Sequence, residues 1–143
     1  MFTWSGWLFQ MTYVTAYVVS LIVFLGVDFI WLSTMGAALY RAVLGDLLAP
    51  NVRLPPAIVF YLAYPVGIVV FAVLPALAAG SWARGALLGA LLGALAYATY
   101  DLTNFATLRT WSLQITILDI AYGAVATGAA AVAAYFVVRA IFG

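Results

Sequence analysis

Four apolar runs, at about 13–33, 56–78, 84–107 and 111–138, leave this chain little choice of fold. Each is as long as the roughly 20 residues that a helix needs to cross hydrocarbon. Between and within them the polar inventory is thin. The whole sequence of 143 residues is 69% hydrophobic and 6% charged, with five Lys plus Arg and four Asp plus Glu. A water-exposed surface normally draws on about 25% charged residues. The chain therefore reads as an all-α integral membrane protein, a bundle of four transmembrane helices forming one domain over 1–143.

Breaks in the pattern set the expected ends of the spans. Residues 1–10 hold Trp4, Trp7 and Phe9 without a basic residue, and read as an interfacial extension rather than a secretory leader. From Thr34 to Leu48 the chain is only moderately apolar and carries Tyr40, Arg41 and Asp46. It reads either as an interfacial helix between spans one and two or as the first span continued beyond the lipid. Pro55 and Pro56 open the second span, and Pro65 and Pro75 inside it predict a kink. Gly80 and Ser81 form a turn. Trp4, Trp7, Trp82 and Trp111 are expected to anchor at the interface. With four spans, both ends of the chain and the Gly80 turn share one membrane face, side A. The 34–55 connection and the turn near Arg109 share the other, side B.

The informative residues are the polar ones inside the spans. At about 1.5 Å of rise per residue, Asp28, Tyr61, Tyr64, Asp101 and Asp119 all lie roughly 7–12 Å below side B. Four helices thus contribute to one polar layer in the side B half of the bilayer. In the third span Gly85, Gly89 and Gly93 recur every four residues, and Tyr97, Asp101 and Asn104 continue the same face. The glycine half is expected to pack closely against another helix of the chain, and the polar half to line a space where helices diverge. Asp119 and Tyr122 begin a comparable face on the fourth span. Tyr17, Ser20, Phe24, Asp28 and Trp31 do so on the first.

Ionisable residues at this depth are candidates for ligand, ion or proton handling, or they tie helices together. The candidate ligand-binding set is Asp28, Tyr61, Tyr64, Tyr97, Asp101, Asn104, Asp119 and Tyr122. Three carboxylates in one poorly solvated layer cannot all stay charged and unpaired. Arg41, Arg53 and Arg109 all start near the rim, so Asp101 and Asp119, on helices joined by a short turn, are expected to share a proton. The absence of Cys and His removes thiol chemistry, zinc sites and haem ligation by those residues. No metal site and no cofactor are expected, and a net charge of +1 gives no reason to expect nucleic acid.

Longer motifs carry a family resemblance. Asp28-Phe29-Ile30-Trp31-Leu32, Tyr40-Arg41, Phe60-Tyr61-Leu62-Ala63-Tyr64, Leu74-Pro75-Ala76-Leu77 and Gly80-Ser81-Trp82 occur in that order. Tyr97-Ala98-Thr99-Tyr100-Asp101-Leu102-Thr103-Asn104-Phe105-Ala106-Thr107-Leu108-Arg109 and Asp119-Ile120-Ala121-Tyr122-Gly123 follow. Together they resemble the small bacterial membrane proteins grouped as domain of unknown function 2177. The resemblance implies four spans in a bacterial inner membrane and no established activity, so it transfers no catalytic residue. The leading expectation from the residues is a pocket for a lipid or another amphipathic molecule near one membrane face, or an accessory subunit of a larger membrane complex. Expected partners are membrane lipids, and a membrane-protein partner or a second copy of the chain. The alternatives are a lipid-modifying enzyme with Asp101 and Asp119 as acid–base pair, and a small proton- or cation-coupled transporter.

Overall fold

The computed structural model of the protein describes residues 4–143. Four helices in it are long and apolar enough to cross a membrane: Gly6–Leu47, Leu54–Ala79, Trp82–Thr107 and Leu113–Phe142. The four-span bundle expected from the apolar runs is the fold observed.

The first helix begins at Trp4 and runs to Met35 without a break. Residues 4–10 are thus the first turns of the span itself, whereas residues 1–3 of the expected interfacial extension lie outside the described residues. At Gly36 the helix widens into a π-helical turn, Gly36–Arg41, and continues through Leu44. The connection to the second span therefore prolongs the first helix directly. Its 42 residues, at about 1.5 Å each, far exceed a hydrocarbon core of about 30 Å. The chain turns at Gly45, whose φ of +49° favours glycine.

The second span starts at Leu54 with the two prolines in its first turn, where their missing N–H groups cost nothing. Between Pro65 and Pro75 it passes through a second π-helical turn, Val69–Val73. The N–H of Leu74 reaches back to the carbonyl of Val69, and Pro75, which has no N–H to give, follows at once. Tyr17 of the first span donates its hydroxyl to the Leu62 carbonyl at 2.9 Å, next to the stretch where Pro65 withholds a donor. Gly80 closes the span in a left-handed turn. The third and fourth spans each open on a serine cap: Ser81 accepts from the Arg84 N–H at 3.3 Å, and Ser112 from that of Ile115 at 3.1 Å.

Packing follows side-chain size. The third and fourth helices touch along most of their length, because small residues face each other. A Cβ added at Gly93 would lie 2.0 Å from the carbonyl oxygen of Gly123, and one at Gly89 would lie 3.0 Å from Gly128 and Ala131. The backbones meet there with no room for a side chain. Gly85 faces Ala76 of the second span instead. The alanine face of the fourth helix, Ala126, Ala130, Ala131 and Ala134, is fully buried at the bundle centre with Phe24, Ile68 and Val73. The first helix also packs on the fourth. The second divides its contacts: residues before the π-helical turn lean on the first helix, and those from Val69 onward pack on the third. Toward side B the second and third helices therefore part, and aromatic side chains of both spans line the gap.

Candidate functional site

The three intramembrane aspartates all face the bundle interior, as expected. Asp28 and Asp119 are buried, and Asp101 is 0% exposed. They do not form one cluster of three. Among the described residues no group of three or more acidic, His or Cys side chains is placed to hold a metal ion. They fall instead into two carboxylate–phenol groups, bridged by a stacked ring pair.

The first group is built on Asp28. Its Oδ2 accepts from the Tyr61 hydroxyl of the second span, and its Oδ1 from the Tyr122 hydroxyl of the fourth at 2.7 Å. One carboxylate thus ties three helices together, with each oxygen still able to accept a second bond. Asp28 and Tyr61 also line a cleft of about 420 Å³ between the first and second spans. Its other walls are Leu25, Phe29, Leu32 and Ser33. Phe29 is 76% exposed, so this cleft opens sideways on the outer face of the bundle.

The second group is built on Asp119. Its Oδ1 accepts from the hydroxyl of Tyr40, which in turn accepts from Trp31 Nε1 at 2.9 Å. Trp31 stacks on Tyr122 at 4.4 Å between ring centroids and 11° between planes, joining the two groups. The Asp101 carboxyl lies within hydrogen-bonding reach of Asp119, yet neither of its oxygens has a donor among the described residues.

The remaining candidates sit around this frame. Tyr97 packs edge-on to Tyr122, and its ring fills the slot left by Gly123, where a Cβ would lie 2.3 Å from Tyr97 Cδ2. Tyr64 bonds the hydroxyl of Thr127 at 2.9 Å and does not reach an aspartate. Asn104 is half-buried beside Tyr100 and gives no hydrogen bond to Asp101. Tyr64 and Tyr97, with Phe60, Ala96 and Tyr100, line a second lateral cleft of about 380 Å³ where the second and third spans part. Arg41, Arg53 and Arg109 are exposed, and phenols rather than guanidinium groups supply the donors to Asp28 and Asp119.

Two residues have roles that their positions in the sequence did not suggest. Tyr40 lies in the connection, outside the apolar run, and reaches Asp119 only because the first helix continues through a π-helical turn. The motif Tyr40-Arg41 was its one visible signal. Trp111, expected to be an interface anchor, is 7% exposed; it donates to Thr116 at 3.2 Å and packs with Leu39, Leu44 and Ile115. The continued first helix covers it, and that cover is what an isolated Trp at a helix start cannot reveal. Trp82, by contrast, is 53% exposed.

Fold and site together define a polytopic membrane protein: a four-helix bundle with a buried carboxylate–phenol layer near one face. The chain belongs to the family described as predicted membrane protein, domain of unknown function 2177, which matches residues 13–136. No curated protein and no solved structure matches it.

Proposed function

We propose that the protein binds an amphipathic molecule, with the polar end on Asp28 and Tyr61 and the chain along Leu25, Phe29 and Leu32. The observation that carries this reading is the cleft between the first two spans, where a buried carboxylate meets an opening walled by exposed apolar side chains. A polar end that donates hydrogen bonds, a hydroxyl or an amine, complements the free lone pairs of Asp28. A phosphate bound directly at this depth would meet a carboxylate with no arginine at hand, which repulsion and desolvation both disfavour. The proposed setting is a bacterial inner membrane, in keeping with the family resemblance.

An acid–base enzyme using Asp101 and Asp119 is the weaker reading, since Asp101 is closed off from any reactant in this arrangement. Native mass spectrometry of the purified protein tests the binding reading, using a long-chain alcohol, diacylglycerol, phosphatidylethanolamine and phosphatidylglycerol as probes. Retention of the phosphate-free long-chain alcohol and diacylglycerol, lost on filling the cleft with Leu25→Trp and reduced in Asp28→Asn, is the expected result. Retention of no probe, or retention unchanged by both substitutions, overturns the proposal.

A further inference from the structure

The Asp101 carboxyl is the one buried acidic group in the layer to which no phenol donates. It has 0% exposure, and both of its oxygens lack a donor among the described residues. Its neighbour is another carboxyl, that of Asp119, within hydrogen-bonding reach. Two ionised carboxylates so placed can only repel, because an ionised carboxylate accepts hydrogen bonds and cannot donate them. Burial away from water makes that repulsion worse. One proton between them turns the repulsion into a short charge-assisted hydrogen bond and supplies Asp101 with a partner.

The groups facing this pair leave the proton as the remaining source of neutralisation. From the first helix come Trp31, which donates to Tyr40, and Asp28, whose two oxygens each accept one bond, from Tyr61 and Tyr122. From the connection comes the Tyr40 hydroxyl, bonded to Asp119. The third and fourth helices add Tyr97, Tyr100 and Tyr122, which are neutral phenols, and the second adds Tyr61 and Tyr64. The arginines nearest side B, Arg41, Arg53 and Arg109, are exposed.

We propose that Asp101 and Asp119 form a proton-binding site that holds one proton between two carboxyls, and that Tyr40 is its route to water on side B. Tyr40 is half-buried, and the next residue, Arg41, is exposed. Its hydroxyl can pass a proton to Asp119 while taking one from the aqueous side, so the pair exchanges its proton without a change in the backbone. The charge of the pair is then −1 with the proton bound and −2 without it. The site is distinct from the Asp28 cleft and stands whether or not that cleft binds a ligand.

Infrared spectroscopy of the whole purified protein at neutral pH reads this directly. The expected result is a protonated-carboxyl band that shifts on transfer to deuterium oxide. It should be lost in Asp101→Asn and Asp119→Asn and retained in Asp28→Asn. Because the wild-type band needs no variant, a folding failure in either substitution leaves the test intact. Absence of the band in the wild type overturns the proposal, as does a band lost only in Asp28→Asn. Binding of terbium(III) by the wild type, seen as Tyr- or Trp-sensitised emission that Asp101→Asn abolishes, would assign the pair to a metal cation and equally overturn it. Tyr40→Phe should keep the band and slow its deuterium shift; an unchanged rate rules out the Tyr40 route.

Discussion

The Tyr122 hydroxyl donates to Asp28 at 2.7 Å, across 94 residues of sequence and from the fourth span to the first. Because Tyr61 of the second span donates to the other oxygen, this carboxylate fastens three helices at one depth. Removing the acceptor should therefore cost more than removing one donor. Tyr122→Phe leaves the stack on Trp31 in place and takes away a single charged hydrogen bond, worth about 1.5–3 kcal/mol. Asp28→Leu leaves two phenols, the buried Tyr122 and the half-buried Tyr61, without an acceptor and is expected to lower stability further. Thermal unfolding of both variants in the same detergent checks the order. A Tyr122→Phe protein less stable than Asp28→Leu would mean that Asp28 is not what fastens the three helices.

A second expectation concerns the seam between the third and fourth helices. A methyl group at Gly93 would have to occupy space 2.0 Å from the carbonyl oxygen of Gly123, and backbone cannot move aside as a flexible side chain can. Gly93→Ala should destabilise by about 1–3 kcal/mol, the usual range for forcing bulk into a filled interior. The same change at Gly26, where an added Cβ meets nothing within 4 Å, should be neutral or slightly stabilising. Equal unfolding temperatures for the two variants would show that the seam is looser than the described contacts.

The two most buried layers of this protein were legible in the sequence to different degrees, and the reason is geometric. The rise of a helix is constant, so counting residues from the end of each apolar run placed Asp28, Asp101 and Asp119 at one depth. The four-residue recurrence of Gly85, Gly89 and Gly93 likewise declared a contact face. What counting cannot supply is the rotation introduced by a π-helical turn, because one extra residue per turn shifts every later side chain around the axis. Tyr40 lies within such a turn, Gly36–Arg41, and its reach to Asp119 was hidden for that reason. Nor does an aromatic residue at a helix start reveal whether lipid or protein covers it. That depends on a distant segment, here the one carrying Leu39 and Leu44.

Trp111 and Trp82 turn that last point into a measurement. Both begin or precede a span, but Trp111 is buried with its indole N–H bonded to Thr116, while Trp82 is largely exposed. Trp111→Ala should cost about 3–5 kcal/mol, as for truncation of a core aromatic. Trp82→Ala should change detergent-solubilised stability by well under that. Trp111→Phe keeps most of the packing and loses the bond, so an intermediate loss of about 1 kcal/mol is expected. If both alanine variants unfold at the wild-type temperature, Trp111 is an interface residue after all.

The last expectation separates open space from closed space around the second span. Ala96 lines the cleft of about 380 Å³ between the second and third helices, beside Phe60, Tyr64, Tyr97 and Tyr100. A larger ring at that position can fill the cleft and stack on its aromatic walls, so Ala96→Phe is expected to leave the unfolding temperature unchanged or raise it. Ala126 is the contrasting site. It is fully buried on the alanine face of the fourth helix, where the packed core leaves no comparable space. Ala126→Phe must push helices apart and should destabilise strongly, by about 1–3 kcal/mol or more. The comparison depends on the second helix leaning on the first toward side B and on the third only beyond its π-helical turn. Were Ala96→Phe as damaging as Ala126→Phe, the second and third helices would have to be closed against each other in the membrane, and the lateral cleft would not exist there.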